Sequence, residues 1–297
     1  VKKTFLALMM AVLLILSTGC ASYDYAETGQ YIVTAKEALN MVQSGAILVD
    51  VQSADDYATG HITGAVNVPM ASLTISEPIE NMLPDAAQIE QVMGAAGLTE
   101  TDTLLVYDNN ANMQAARVQW TLNMFGNFNV RVVSGGLKHL QKAGGTVTTE
   151  AVSLPAATYT TGDKQKTLIA SLDYINAKLN TPEEGLVIID ARTAEEAAQG
   201  MIPGAINIDY ALNNYPSGEY KSPMDMQSTY ISKGILPDMK LIVYCKSGVR
   251  AAQTYTALKD AGYPEVRVYD GSWLEYSSTG EVEAPVSSVA PSKQDAS

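Results

Sequence analysis

The sequence predicts an α/β protein made of two tandem copies of one domain, each a mostly parallel sheet with helices on both faces. Three observations carry this. The stretch 50–68, which opens Asp50-Val51-Gln52 and continues through Gly60-His61-Ile62-Thr63-Gly64-Ala65, lies without a gap over 190–208, which opens Asp190-Ala191-Arg192 and continues through Gly200-Met201-Ile202-Pro203-Gly204-Ala205. Two further blocks recur in the same order, 104–108 over 241–245 and 130–135 over 266–271. Short apolar runs also alternate with helical segments, the pattern of a parallel sheet covered on both sides.

The elements follow in chain order. Apolar runs at 47–51, 104–107, 130–133, 187–190, 241–244 and 266–269 predict buried strands. Helical segments at 35–43, 86–96, 114–125, 172–179 and 251–261 lie between them. Gly144-Gly145 closes the first copy, and the segment 149–166, with Pro155 and several threonines, reads as an extended linker. The expected domains are therefore 31–148 and 167–280, with a Ser- and Pro-containing disordered tail at 281–297. A chain of 297 residues suits two domains, each large enough to bury its own core.

The first twenty residues are of another kind. Lys2 and Lys3 precede an apolar run from Phe5 to Leu16, and Ser17-Thr18-Gly19-Cys20 ends it in small residues and a cysteine, the pattern of a secretory signal. The stretch resembles the lipobox of bacterial lipoproteins, except that the expected leucine falls one place early, at Leu16. The resemblance implies lipidation of Cys20 and a protein outside the cytoplasm, lipid-anchored to a bacterial membrane, since two or more acyl chains hold a protein stably. An uncleaved membrane anchor is the alternative reading. Loss of Lys2 and Lys3 takes the formal charge from −13 to −15, and such an acidic surface gives no support for nucleic-acid or anionic-membrane binding through a basic patch. With Cys20 lipidated, Cys245 is the one free thiol, and an unpaired cysteine in an exported protein calls for an explanation.

The explanation lies in Cys245-Lys246-Ser247-Gly248-Val249-Arg250, a turn between a predicted strand and a predicted helix. Such a turn aims backbone N–H groups and a helix N-terminus at one atom, and these groups, with the two cations, favour a thiolate. Where Cys245 stands in the second copy, the first has Asp108, and Gln52 replaces Arg192. Two distant histidines and one free cysteine do not make a metal site, and no glycine-rich nucleotide loop occurs, so no cofactor is expected.

These motifs resemble the rhodanese family, and over roughly 31–278 the chain resembles a tandem rhodanese of the thiosulfate or mercaptopyruvate sulfurtransferase type. The resemblance rests on Asp190-Ala191-Arg192, the Gly200 to Asn207 stretch, the Cys245 turn, Tyr269-Asp270-Gly271-Ser272-Trp273 and, in the first copy, Asn81-Met82-Leu83-Pro84 and Ala95-Ala96-Gly97-Leu98. It implies that Cys245 accepts a sulfane sulfur as a persulfide and passes it to a thiophilic acceptor such as cyanide, a thiol or an envelope protein. Lys246, Ser247, Gly248, Val249, Arg250 and Arg192 are then expected around a small anionic donor, with the first copy contributing shape and interface only. Glu196 stands where cytosolic tandem members carry another substrate-binding arginine, which turns the expectation from mercaptopyruvate toward thiosulfate.

Several residues admit two readings. Arg192 is either a substrate ligand or a structural partner of Asp190, and His61 either faces the active site or is a hydrogen-bonded turn residue. Trp273 and Asp270 belong to a rim, to the interdomain seam or, for Trp273, to buried packing. His139 reads as a solvated surface residue. Two other functional classes remain. A phosphatase or arsenate reductase would use a similar cysteine cradle, but with five rather than four residues between cysteine and arginine. A lipid-tethered sulfur carrier would keep the turn with little turnover.

Overall fold

The computed structural model describes residues 30–279; the signal segment with Cys20 and the tail at 281–297 lie outside them. The first copy contains strands β1 (Ile32–Val33), β2 (Ile47–Asp50), β3 (His61–Ile62), β4 (Val66–Asn67), β5 (Leu104–Tyr107), β6 (Val130–Val133) and β7 (Val147–Thr148). Its helices are α1 (Ala35–Gln43), α2 (Ala54–Thr59), α3 (Ala86–Ala95), α4 (Met113–Met124) and α5 (Gly136–Lys142). The second copy contains β8 (Ile169–Ala170), β9 (Leu186–Asp190), β10 (Ile206–Asn207), β11 (Lys240–Tyr244) and β12 (Val266–Tyr269). Its helices are α6 (Leu172–Asn180), α7 (Ala194–Ala197), α8 (Pro223–Ile231), α9 (Val249–Asp260) and α10 (Ser272–Ser277).

The two main sheets have one topology. The first runs β1-β6-β5-β2-β4 and the second β8-β12-β11-β9-β10, each parallel throughout, while β3 and β7 form a separate antiparallel pair. In both, the strand followed by residue 108 or 245 is central. Helices cover both faces of the sheets, so all of β5 and the Leu241 to Tyr244 part of β11 are buried, which is why these strands read as unbroken apolar runs. Local chemistry starts the helices: Thr34 and Glu37 form a capping box before α1, and Thr193 and Glu196 form one before α7.

The copies meet through α4 and α9, which pack against each other and are buried along most of their length. Alanines at 115, 116, 251, 252 and 257 keep the backbones close, and one apolar cluster continues across the seam. Polar bonds fix its register: Thr256 Oγ1 donates to Gln119 Oε1 at 2.8 Å, while Gln119 Nε2 donates to the carbonyls of Tyr31 and Val130. Between the copies the chain lies along the first copy, with Ala157 N donating to Gly94 O and Gly162 N to Phe125 O.

The long predicted strands and helices occur within two residues of their expected limits. α9 starts earlier than expected because Gly248, at φ +84°, turns the chain directly into it. The sequence predicts neither the two-residue strands nor α2, α7, α8 and α10; all but α8 are too short to show enough periods to be distinguished in sequence. Among the described residues no helix is long and apolar enough to cross a membrane.

Candidate active site

Cys245 follows β11 directly, at the carboxyl end of the central strand, where open parallel sheets gather their functional groups. It is 1% exposed and its thiol is free. The segment after β12 pins the start of the turn. Cys245 N donates to Ser272 Oγ at 3.2 Å, Trp273 N to Cys245 O at 3.0 Å, and Leu274 N to Lys246 O at 3.1 Å. Ser272 is itself held, donating to Tyr269 O at 2.8 Å. Three turns of α9 then begin at Val249, so the positive end of its dipole lies at the turn.

The cations differ in their surroundings. Lys246 is exposed, with Nζ 3.9 Å from Glu80 Oε1 of the first copy. Arg250 is half-buried, stacks over Tyr210 and donates both ends of its fork to Glu196, at 2.5 and 2.8 Å. Glu196 therefore titrates at about 2, because the Arg250 guanidinium bonds its charged form. Arg250 is held protonated chiefly by its bonds to Glu196, against the opposing effect of burial. Ser247 is buried and accepts from Asn81 Nδ2 at 3.0 Å.

Arg192 is bonded to Asp190 and Gly200. Its Nε lies 3.0 Å from both Asp190 oxygens, Nη2 donates to Asp190 Oδ2 at 2.6 Å and to Gly200 O at 2.7 Å, and the residue is 2% exposed. Its guanidinium lies over the Trp273 ring at 4.3 Å, so it ties the strand end to the residues around it. Tyr244 completes that arrangement, donating to Asp190 Oδ2 and accepting from Ile202 N. In the first copy Gln52 takes the arginine's place beside Asp50 without a charge, and burial pushes the Asp50 carboxyl upward.

The first copy also shows what its turn does without a cysteine. Asp108 is buried and turns its carboxylate back into the loop, accepting from Asn110 N at 2.8 Å, Asn112 N at 3.1 Å and Ala115 N at 2.9 Å. Burial pushes this carboxyl upward, and those same N–H groups oppose the rise. The backbone N–H groups of this turn are thus taken by a carboxyl group that belongs to the chain itself.

Each turn is covered by the other copy. Leu83 N donates to Asp270 Oδ2 at 2.8 Å, and in the mirror-image contact Tyr220 N donates to Ser134 Oγ at 2.8 Å. Asn112 Nδ2 reaches Asn214 Oδ1 and Gly218 O. Asp270 therefore belongs to the seam, with Arg117 of α4 2.7 Å away. His61 is buried, stacked on Tyr57 and bonded to the carbonyls of Tyr57 and Glu150, a structural place. His139 is buried as well, not solvated, because it bonds Gly135 O and lies 3.3 Å from Glu219 of the second copy. In the sequence Asn81 stands only as part of the Asn81-Met82-Leu83-Pro84 motif, with no role of its own. Arg117 gave one signal only, a lone charge within an otherwise uncharged helix.

The model of the family described as "Rhodanese-like domain" matches this chain twice, at residues 34–143 and 171–279. A Mycolicibacterium smegmatis protein provisionally named thiosulfate sulfurtransferase is 30% identical over 243 residues, covering 77% of this chain and 87% of its own. The 3-mercaptopyruvate sulfurtransferase of Escherichia coli K12 is 30% identical over 241 residues, covering 77% and 84%. The crystal structure of a 3-mercaptopyruvate sulfotransferase from Escherichia coli superposes with a TM-score of 0.73 at 27% identity, over 82% of this chain and 98% of that one. EanB shares the fold, with a TM-score of 0.75 at 20% identity over 86% of this chain and 70% of its own.

The Arg250–Glu196 pair has a pH signature. Because the carboxyl is depressed in the folded protein, the pair stabilises the fold above the ordinary 4.5 and that contribution disappears as the pH falls to about 2. Wild type should exceed Glu196→Gln in denaturant stability at neutral pH, and the two should converge across that window. A difference that stays constant with pH would contradict an ionic pair.

Proposed function

This chain belongs to the rhodanese-like sulfurtransferase family, and from that premise we propose that Cys245 is its nucleophile and thiosulfate its sulfur donor. The observation that carries the reading is the contrast between the copies. The same strand-end turn bonds a built-in carboxyl in one copy, and in the other carries a free thiol at the foot of α9, the helix that bears Arg250.

In the proposed cycle the Cys245 thiolate attacks the outer sulfur of thiosulfate. The sulfur–sulfur bond of the donor breaks, sulfite leaves with the electron pair, and Cys245 becomes a persulfide. Cyanide, a thiol or a protein thiolate then attacks the terminal sulfur, and the Cys245 thiolate leaves. Lys246 and Arg250, with the N–H groups of Ser247, Gly248 and Val249, stabilise the negative charge that passes through the turn. Arg250 shares its guanidinium between Glu196 and the donor. Thiosulfate needs only the charges of this one turn. Mercaptopyruvate needs a second cation for its carboxylate, and Glu196 sets a negative charge at the place where one would stand.

Cys245→Ser should abolish thiosulfate-to-cyanide turnover and leave the fold intact, since a hydroxyl is nearly isosteric but forms no persulfide. Asp108→Cys should not restore activity in that background, because the turn beginning Asn109-Asn110-Ala111-Asn112 brings no cation. Substantial turnover by Cys245→Ser would refute the single-site mechanism.

We also propose that the enzyme works outside the cytoplasm, held to a membrane by lipid on Cys20; the support is the Lys2 to Cys20 sequence. Cys20→Ser should release the protein from membranes or leave its precursor uncleaved. A mature wild-type chain with an unmodified N-terminus that washes freely off membranes would contradict the tether.

A further inference from the structure

Arg117 lies on α4, in the copy without the cysteine, and the proposed cycle makes no use of it. It is fully buried. Its Nη2 sits 2.7 Å from Asp270 Oδ1 and donates to the carbonyl of Asn81, and its guanidinium rests on the Trp120 ring at 4.6 Å. Nε and Nη1 meet no hydrogen-bond acceptor among the described residues.

Both partners of Arg117 bear on the turn after Cys245. Asn81 Nδ2 donates to Ser247 Oγ at 3.0 Å. Asp270 is fixed by Leu83 N, and it backs Gly248 together with Arg117. A Cβ added to Gly248 would lie 2.8 Å from Arg117 Nη1, 3.0 Å from Asp270 O and 3.2 Å from Asp270 Oδ1. The guanidinium thus packs directly on the glycine backbone, where no side chain fits.

Desolvating a guanidinium and leaving two of its nitrogens unpartnered opposes folding, and an apolar side chain of similar length would fill the seam without that penalty. What an apolar residue could not do is hold Asn81 and Asp270 in one orientation. We propose that Arg117 is a positioning residue for the Cys245 turn, supplied across the seam by the cysteine-less copy. It locks Asn81 onto Ser247 and Asp270 behind Gly248, so that the turn after Cys245 keeps one conformation. The proposal rests on Cys245 being the nucleophile, and it gives the first copy a part beyond shape and interface.

The test uses the whole chain with Arg117→Met, Arg117→Lys and the double variant Arg117→Met/Asp270→Asn. Two rates are measured: alkylation of Cys245 by iodoacetamide at neutral pH, and single-turnover sulfur loading from thiosulfate, resolved into a saturating rate and a half-saturating concentration. Both rates should fall roughly tenfold or more in the two Met-containing variants, the scale on which small misplacement acts, with a smaller change in half-saturation. Arg117→Lys should recover part of the loss, and the double variant should melt close to wild type, since the buried pair is replaceable in the fold. A folded double variant with wild-type alkylation and loading would overturn the proposal. So would a double variant that does not fold, because the pair would then serve the fold itself. Alkylation needs no sulfur donor, so a wild-type protein that alkylates at Cys245 but never loads sulfur would defeat the proposed reaction and leave this comparison readable.

Discussion

The reciprocal clasp between the two copies is the contact on which the Cys245 turn depends. Its floor is β11 and its side is α9, both from its own copy, but its outer wall comes from Glu80, Asn81 and Leu83 of the other. The packing of α4 on α9 brings those residues there, and the small side chains at the seam let the helices approach closely enough. Burial of both helices supplies the non-directional attraction, and the bonds of Gln119, Asp270 and Ser134 supply the register. A copy that has lost its cysteine is therefore still part of the site.

The two turns resolve one electrostatic problem differently. N–H groups gathered at a strand end and a helix start need an anion. In the first copy the Asp108 carboxyl fills that place, and the backbone N–H groups of Asn110, Asn112 and Ala115 are already bonded to it. In the second copy the side chain at that position is a thiol, which carries charge only as thiolate or persulfide. The surrounding charge is tempered rather than maximal: Arg250 is paired with Glu196 and Lys246 faces Glu80, on a chain whose formal charge is −13. A strongly acidic protein can in this way offer a cationic turn at short range without becoming a general anion binder.

Much of this was legible in the sequence because it is local or repeated. The duplication disclosed two copies, apolar runs disclosed the central strands, and the asymmetry of Asp108 and Cys245 disclosed which turn is chemically distinct. The capping box at Thr193 and Glu196 is a local pattern too, yet the grasp of Glu196 on Arg250 joins residues far apart in the chain and has no sequence period. The same holds for Arg117 with Asp270 and Asn81 with Ser247, which exist only once α4 and α9 have packed. Arg192 shows the limit of residue type alone. An arginine two places after an aspartate serves substrate or structure according to its rotamer, and here both Asp190 oxygens and Gly200 O hold it inward.

The central claim is that one atom, the sulfur of Cys245, carries the transferred sulfur. The most direct measurement is peptide-mapped mass spectrometry of the wild-type chain after exposure to thiosulfate, before and after a cyanide chase. One added sulfur per chain, located on the peptide containing Cys245 and removed by cyanide with formation of thiocyanate, is the predicted result. An unmodified Cys245 peptide in protein that continues to turn over thiosulfate would contradict the account.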